Sequence, residues 1–230
     1  NPTLREMTKR FIINALVLAF KILTKIRIEG LDKVPHTGKC ILAINHVGII
    51  DGPLLIYLQE KLPRDDFILI VAEKYQENFI LNWAVKNLGY LFIDRFNADL
   101  RVMKIILKRL KDGGVLVMAP EGTRSDTGGI ENPRSGAAYI SAKTQSPIIP
   151  IGFTGTDDDT LWPTWLSFRR LDLKINIGDP FQIPPLPKKH QAEFLTLQTD
   201  EVMCQIAALL PVEYQGEYKD HPRLIELLET

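Results

Sequence analysis

The sequence predicts an α/β fold with a largely parallel central sheet flanked by helices. Short apolar runs alternate along the chain with longer amphipathic stretches, which is the pattern of strands joined by crossover helices. The runs at 40–45 and 67–73 are almost continuously apolar, as expected of strands buried on both faces of a sheet. The segment 171–178 instead alternates apolar and polar residues, which predicts a half-exposed strand.

The remaining elements are predicted from periodicity and from turn residues. Pro53 stands where a helix favours proline, near its first position, and Gly113-Gly114 ends a later helix before the next apolar run. The predicted helices are 52–58, 78–87, 98–111, 136–144 and 189–210. The other predicted strands are 26–31, 90–95, 115–120 and 147–155.

Composition and charge limit the class of protein. Hydrophobic residues make up 45% of the chain and charged residues 24%, which is typical of a globular domain. Lys and Arg together number 28, as do Asp and Glu, so the overall charge gives no reason to expect a nucleic-acid partner. Cys40 and Cys204 are far apart and form no Cys-x-x-Cys motif, so we expect buried thiols rather than a disulfide or a metal site.

The first 27 residues are predicted to form a membrane-associating amphipathic helical segment, followed by an α/β domain at 28–230. The run 11–26 is apolar, but Asn14 and Lys21 interrupt it, so it falls short of the ~20 apolar residues that cross a bilayer. Its polar positions lie on one helical stripe: Arg10, Asn14, Lys21 and Lys25. A basic stripe beside a broad apolar face indicates a helix lying on an anionic membrane surface. The alternative is a helix packed on the core of the domain itself.

The segment 45–51 carries the most informative chemistry. His46 follows a buried strand and Asp51 opens the next helix, and open α/β sheets place functional loops at such junctions. With His46 in the loop and Asp51 at the helix N-terminus, the carboxylate can accept a hydrogen bond from one ring nitrogen of the histidine. The other nitrogen is then available to remove a proton from a hydroxyl. The competing interpretation is a helix-capping aspartate beside an unrelated loop histidine.

Three further segments stand at predicted strand ends in a fixed order. They are Gly-Tyr-Leu-Phe-Ile-Asp-Arg at 89–95, Pro-Glu-Gly-Thr-Arg-Ser at 120–125 and Pro-Ile-Ile-Pro-Ile-Gly at 147–152. Together with Asn-His-x4-Asp at 45–51, they resemble the four sequence blocks of the glycerolipid acyltransferase family, whose best-known members are the 1-acyl-sn-glycerol-3-phosphate acyltransferases. The ending at 206–218 also resembles the tails of bacterial members, so the likeness covers most of the chain.

The resemblance implies a role for each matching position. His46 corresponds to the general base and Asp51 to its carboxylate partner. The implied acceptor-binding positions are Asn45, Arg95, Glu121, Gly122, Thr123 and Arg124. Two guanidinium groups can hold a phosphate, and Gly122 lets the backbone approach a ligand closely. We expect Glu121 to orient the arginines or to accept from a hydroxyl, and Pro150 to shape the acyl-donor site.

Two positions depart from the family pattern. Gly48 stands where the first block commonly has Ser or Thr, and loss of that side chain is expected to widen the loop. Pro133-Arg134 replaces the usual aromatic residue followed by Lys, which keeps the positive charge but loses the ring.

The resemblance implies an O-acyltransferase acting on a lysophospholipid, with 28–230 as the acyltransferase domain. The acyl group would pass from acyl-CoA or acyl-carrier protein to the free hydroxyl of 1-acyl-sn-glycerol-3-phosphate, giving phosphatidic acid. We expect direct transfer, because the chain has no Gly-x-Ser-x-Gly elbow and neither cysteine lies near a block. No metal or other cofactor is expected, since nucleotide-binding and His-x-x-x-His motifs are missing from the sequence.

The expected partners are membrane lipids, the lysophospholipid acceptor and the acyl donor. The expected location is the cytoplasmic face of the cell membrane, with peripheral or monotopic attachment. The sequence leaves three alternatives open: another lysophospholipid or a glycolipid as acceptor, a thioester or lipid hydrolase using the same His–Asp pair, and a non-catalytic lipid-binding module.

Overall fold

Seven strands form a single sheet in the computed structural model, which describes residues 4–93, 100–131 and 133–229. The strands are β1 (Thr24–Glu29), β2 (Cys40–Ile44), β3 (Phe67–Ala72), β4 (Leu91–Ile93), β5 (Val115–Met118), β6 (Ile148–Thr154) and β7 (Leu171–Ile177). The helices are α1 (Leu4–Leu23), α2 (Asp51–Lys61), α3 (Phe79–Leu88), α4 (Leu100–Lys111), α5 (Gly136–Thr144), α6 (Asp158–Leu166), α7 (Gln191–Ala207) and α8 (Pro222–Leu228).

The sheet is largely parallel, as the sequence predicts. The strand order is β1-β7-β6-β2-β5-β3-β4, and among these described strands only β6 and β7 pair in an antiparallel manner. Consequently β1 and β7 run opposite to the other five strands. Their amino ends lie at the same side of the sheet as the carboxyl ends of β2, β5 and β6. We call this side the carboxyl edge.

Helices cover both faces of the sheet. One apolar cluster receives side chains from α1, α2, α3 and α6, and the other receives them from α4, α5, α7 and α8. Successive side chains of β2 point into the two clusters in turn, so that Leu42 belongs to the first cluster and Ile41 to the second. Cys40 and Cys204 are free, buried thiols in different clusters, which confirms that expectation. Burial raises the pKa of the Cys40 thiol to about 11, so the group stays protonated at neutral pH.

The helix α1 has one face packed on the domain and another exposed, and its association with a membrane stays a prediction. Phe20 is buried and Ile12 and Ile13 are half-buried against the first cluster, so one face packs on the domain. On the opposite face large apolar side chains are exposed at four positions: Met7, Phe11, Leu18 and Ile22. No helix in the described part of the chain is both long enough and apolar enough to cross a bilayer.

Several elements differ from expectation: α2 continues to Lys61 beyond the predicted 52–58, and α8 was not predicted. The strand β1 begins at Thr24 and pairs with β7, so the last residues of the segment 1–27 belong to the sheet. The helix α7 begins at Gln191, after His190 has adopted a left-handed backbone with φ 55°. The short helix α6 was not predicted, because Pro163 lies inside it and three aspartates at its start read as a loop.

Candidate active site

The histidine and aspartate of the first sequence block are in direct contact. His46 lies in the loop after β2, and Asp51 is the first residue of α2. The Nδ1 atom of His46 is 2.8 Å from Oδ2 of Asp51. An ionised carboxylate only accepts, so Nδ1 donates this hydrogen bond and Nε2 is left as the unprotonated nitrogen. The His46 side chain is 30% exposed, whereas that of Asp51 is only 1% exposed.

The same carboxylate oxygen also orders the loop between the two residues. Oδ2 of Asp51 accepts from the backbone N–H of Val47 at 2.8 Å and from that of Gly48 at 3.0 Å. Three donors therefore converge on one oxygen atom. This arrangement fixes the carboxylate relative to the imidazole before any ligand arrives.

The backbone of His46 is bound on both sides by the third sequence block. Its N–H donates to Oε1 of Glu121 at 3.0 Å, and its carbonyl accepts from the N–H of Ser125 at 2.8 Å. The first and third blocks, about 75 residues apart in sequence, therefore form one structural unit at the carboxyl edge.

Glu121 is a buried carboxyl group whose described contacts are with backbone N–H groups. Its second oxygen accepts from the N–H of Glu131 at 3.4 Å. Burial raises the pKa of Glu121 to about 8, the two N–H bonds oppose this shift, and the nearby negative charge of Asp51 adds to it. We expected Glu121 to orient arginines or accept from a hydroxyl, but in the described residues it orients the His46 loop instead.

Asn45 is buried, which corrects the expectation that it contacts the acceptor. Its amide nitrogen donates to the carbonyl of Phe153 at 3.0 Å, and its amide oxygen accepts from the N–H of Phe153 at 2.7 Å. Both ends of the side chain thus pair with the backbone of β6. Asn45 joins the end of β2 to β6 just before the loop of His46.

Arg124 is held beside the same loop by Asp158, which is not among the predicted site residues. Its Nη1 atom lies 2.5 Å from Oδ2 of Asp158, and Oδ1 of Asp158 accepts from the N–H of Ile49 at 2.8 Å. Asp158 therefore links the third block, the His46 loop and the start of α6. A sequence feature could have indicated this role, because three consecutive aspartates, 157–159, follow the carboxyl end of β6 at this edge of the sheet.

The turn at Gly122 places a further cation in this region. Gly122 has φ 71°, a left-handed conformation that favours glycine, and it follows a turn closed by its N–H to the carbonyl of Ala119. An added Cβ would lie 3.0 Å from Cδ of Arg134, so the stem of this arginine packs over the glycine. Thr123 is exposed next to it. Arg95, the other expected phosphate ligand, lies outside the described residues.

Gly48 does not widen the loop, which corrects that expectation. An added Cβ at Gly48 would lie 1.7 Å from the carbonyl oxygen of Thr156. The backbone after β6 therefore fills the space in which a Ser or Thr side chain would stand. In this chain the absence of a side chain at Gly48 permits close packing of two loops.

Pro150 lies within the sheet rather than in a loop. It is buried in β6, opposite Ala43 of β2, and its carbonyl accepts from the N–H of Gly178 at 2.9 Å. Its expected part in shaping an acyl-donor site stays a prediction.

The C-terminal tail braces the loops at this edge. The hydroxyl of Tyr214 donates to Asp157 and accepts from the N–H of Gly155. The carbonyl of Tyr214 accepts from the N–H of Ile130, in the loop that follows the third block. The tail resemblance noted in the sequence therefore corresponds to a segment that packs on the candidate site. A cleft of about 560 Å³, by contrast, lies at the opposite edge, lined by Asp66 and Gly114 at the amino ends of β3 and β5.

Comparison with known proteins relates this arrangement to named relatives. The chain is 28% identical over 137 residues to a chloroplastic 1-acyl-sn-glycerol-3-phosphate acyltransferase from Brassica napus, a match that covers 57% of this chain and 38% of the relative. It is 23% identical over 202 residues to the 1-acyl-sn-glycerol-3-phosphate acyltransferase of Bacillus subtilis, covering 87% of this chain and 92% of that protein. The chain thus spans less than half of the plant relative but most of the bacterial one.

Structural and family comparisons agree with these matches. The fold is similar to the crystal structure of the 1-acyl-sn-glycerophosphate (LPA) acyltransferase PlsC from Thermotoga maritima, with a TM-score of 0.61 and 21% sequence identity over 86% of this chain and 79% of that one. A family model described as Acyltransferase matches residues 25–154, which include all four sequence blocks. Because this match covers more than half of the chain, the chain belongs to the acyltransferase family, and the predicted resemblance to glycerolipid acyltransferases is confirmed.

Proposed function

We propose that the chain is an O-acyltransferase that moves a fatty acyl group from a thioester donor to the free hydroxyl of a lysophospholipid. The observation that carries the proposal is the 2.8 Å contact between Nδ1 of His46 and Asp51 at the carboxyl edge. It leaves one imidazole nitrogen on a half-buried side chain as a base. Membership in the acyltransferase family supports the same chemistry.

In the proposed step, Nε2 of His46 removes the proton from the acceptor hydroxyl as its oxygen attacks the thioester carbonyl carbon. The new C–O ester bond forms, the C–S bond breaks, and the imidazolium returns the proton to the departing thiolate. Asp51 positions the ring and stabilises its transient positive charge. No covalent acyl-enzyme is required.

The proposed acceptor is 1-acyl-sn-glycerol-3-phosphate, with phosphatidic acid as product. Relatives that carry this activity in their names support the choice. So do the cationic groups near the third block, since the guanidinium of Arg124 uses Nη1 toward Asp158 and has further N–H donors for a phosphate. Arg134, and Arg95 through the resemblance, would add positive charge around the same phosphate.

The proposed donor is acyl-CoA or acyl-carrier protein, and the proposed location is the cytoplasmic face of the cell membrane. The outward apolar side chains of α1, with Arg10 and Lys21 beside them, support peripheral or monotopic attachment.

The proposal is tested with the purified chain, labelled acyl-CoA and 1-acyl-sn-glycerol-3-phosphate in detergent. We expect labelled phosphatidic acid and release of free thiol that depends on the acceptor. His46→Ala should reduce the rate by about 10²- to 10⁴-fold, the usual contribution of a general base. His36→Ala is the matched control, because this exposed histidine precedes β2 and lies at the opposite edge of the sheet.

Each alternative predicts a different result in this assay. A hydrolase would release thiol and fatty acid equally well without acceptor. A lipid-binding module would transfer no acyl group in either the wild-type chain or the variant. Transfer at the wild-type rate by His46→Ala would refute the assignment of the base.

A second measurement tests the acceptor phosphate. Arg124→Ala should raise the KM for the phosphorylated acceptor by about tenfold, since a charge-assisted hydrogen bond contributes about 1.5–3 kcal/mol. The same substitution should leave the KM for a dephosphorylated acceptor unchanged. An equal loss on both acceptors would assign Arg124 to the loop structure alone.

A further inference from the structure

The C-terminal end of α6 exposes a group of large apolar side chains that the proposed chemistry does not use. Trp162 is 63% exposed, Leu166 is 78% exposed and Phe168, two residues after the helix, is 99% exposed. We call these three side chains the α6 patch. Leu161 is buried beneath them in the first apolar cluster, so the helix that carries the patch is anchored in the domain.

The backbone holds Phe168 outward at a conformational cost. Its φ of 54° lies in the left-handed region, which is uncommon for a bulky residue. A glycine would adopt this conformation without strain. A fully exposed phenylalanine at such a position is therefore costly for the isolated domain.

The α6 patch adjoins the end of α1. Arg170, two residues after Phe168, donates to the carbonyls of Lys21 and Thr24, and the first residue of β7 pairs with Thr24. Ile22, whose apolar side chain is exposed, lies in the last turn of α1. Three exposed cations flank this junction: Lys21, Lys25 and Arg169.

Topology places the patch on the same side of the molecule as His46. The strand β7 begins at the carboxyl edge, and only β6 separates it from β2, a distance of about 10 Å at the usual strand spacing. Ile49, in the His46 loop, is itself exposed and is tied to the first turn of α6 through Asp158.

The acidic residues of α6 lie at its other end. Asp157 is bonded to Tyr214 and Asp158 to Arg124, so both of these carboxylates are paired within the protein. Asp159 is exposed in the first turn, three residues before Trp162 and therefore next to it on the helix surface. Asp172 is also exposed and lies opposite Lys25 in the pairing of β1 with β7. The three exposed cations at this junction still outnumber the two exposed carboxylates, so the surface is apolar with a net positive charge.

We propose that the α6 patch and the end of α1 form one bilayer-contact surface, so that the carboxyl edge with His46 faces the leaflet. Tryptophan and phenylalanine beside basic residues suit the interface of an anionic bilayer, where the rings enter the acyl boundary and the cations meet headgroups. Protein interfaces, by contrast, are depleted of lysine. The statement about His46 rests on the proposed function, whereas the binding to lipid does not.

The binding is tested by flotation of the full chain with phosphatidylcholine vesicles that contain or lack phosphatidylglycerol. Leu166→Ser and Phe168→Gly should each weaken binding to the anionic vesicles about tenfold, since part of a large apolar side chain leaves the bilayer. Phe168→Gly should keep or raise the melting temperature, because glycine removes the left-handed strain. Leu197→Ser is the matched control, an equally truncated leucine that is 61% exposed on α7, on the other face of the sheet.

The outcomes separate this proposal from the proposed function. Wild-type binding by both patch variants, or an equal loss in Leu197→Ser, would overturn it. Sedimentation showing that the variants dissociate a dimer while vesicle binding is unchanged would assign the patch to a second copy of the chain and overturn it as well. Leu166→Ser should also lose activity on acceptor presented in vesicles while retaining activity on a soluble short-chain acceptor. Equal loss on both acceptors would refute the orientation of His46 even if binding behaves as expected.

Discussion

At the residue scale, the candidate base is ordered by groups that need no ligand to hold them. Oδ2 of Asp51 receives the imidazole N–H and two backbone N–H groups. Glu121 and Ser125 hold the backbone of His46 from the other side. Such preorganisation means that little reorganisation is required when the acceptor binds.

The raised pKa of Glu121 predicts how the free energy of unfolding depends on pH. Its folded-state pKa of about 8 is raised from the ordinary value of 4.5, so its stabilising contribution is complete below about 4.5 and is lost as the pH rises through about 8. Glu121→Gln removes this titration and adds only a constant cost from the altered hydrogen bonds. Urea unfolding from pH 5 to pH 8 should therefore show the wild type losing stability relative to the variant, by at most about 1.4 kcal/mol per pH unit. Parallel curves for the two proteins would contradict the raised pKa.

Two glycines four residues apart, Gly48 in the His46 loop and Gly52 in α2, make a matched pair for testing the packing of this loop. Gly48→Ala should destabilise the protein by about 1–3 kcal/mol, because its Cβ would collide with the backbone of Thr156. Gly52→Ala, in the first turn of α2 with nothing within 4 Å of the added carbon, should stabilise by about 0.5–1 kcal/mol. Chemical denaturation measures both values. A tolerated Gly48→Ala would show that the two loops are not in close contact.

At the element scale, the join between β2 and β6 depends on one buried amide. Asn45→Ala should lower the free energy of unfolding by about 3 kcal/mol, because the N–H and the carbonyl of Phe153 lose their partner in the interior. Asn87→Ala, which removes a surface bond to the carbonyl of Trp83, should cost less than about 1 kcal/mol. If Asn45→Ala instead leaves stability unchanged and raises the KM for the acceptor, the expected substrate contact would be reinstated.

The two faces of α1 should respond differently to substitution. Phe20→Ala opens a cavity under the helix and should cost about 3–5 kcal/mol of stability. Phe11→Ser acts on an exposed side chain and should change stability by less than about 0.5 kcal/mol, while weakening binding to anionic vesicles. Thermal unfolding and vesicle flotation measure the two effects. Unchanged flotation of Phe11→Ser would remove α1 from the bilayer-contact surface.

At the scale of the whole molecule, the distribution of charge matters more than its sum. The formal net charge is zero, yet up to Arg27 the chain has six basic residues and only one acidic residue. Arg169 and Arg170 lie beside the end of this segment. The protein therefore presents a basic region next to exposed apolar side chains, the combination that an anionic bilayer attracts.

This distribution predicts salt-sensitive binding by a protein of zero net charge. Raising the ionic strength from about 0.1 M to about 1 M shortens the Debye length from about 10 Å to about 3 Å. Binding to vesicles with phosphatidylglycerol should fall by about an order of magnitude over this range, since each basic residue near the surface contributes about 1 kcal/mol. Binding to pure phosphatidylcholine should change little. Equal salt sensitivity on both vesicles would exclude a local electrostatic contribution.

Much of the architecture was determined by local sequence pattern. Alternation in β7, the continuous apolar run of β2 and the helical periodicity of α4 and α5 each predict an element that the structure contains. Such patterns are readable because burial of one face imposes a period of 2 on strands and 3.6 on helices. These patterns did not predict helix α6, because Pro163 and the aspartates 157–159 are residue types that usually occur in loops.

The sequence by itself determined the family, the largely parallel sheet and the placement of His46 and Asp51 where a strand meets a helix. Only the tertiary structure decided that Asn45 joins two strands, that Gly48 packs on Thr156, and that Asp158 holds Arg124. These contacts join positions such as Asn45 and Phe153, 108 residues apart, or Ile49 and Asp158, 109 apart. They depend on how loops from different strands pack at one edge of the sheet, and no local period encodes that packing. For the same reason, the exposure of the α6 patch beside the end of α1 became visible only once the chain was folded.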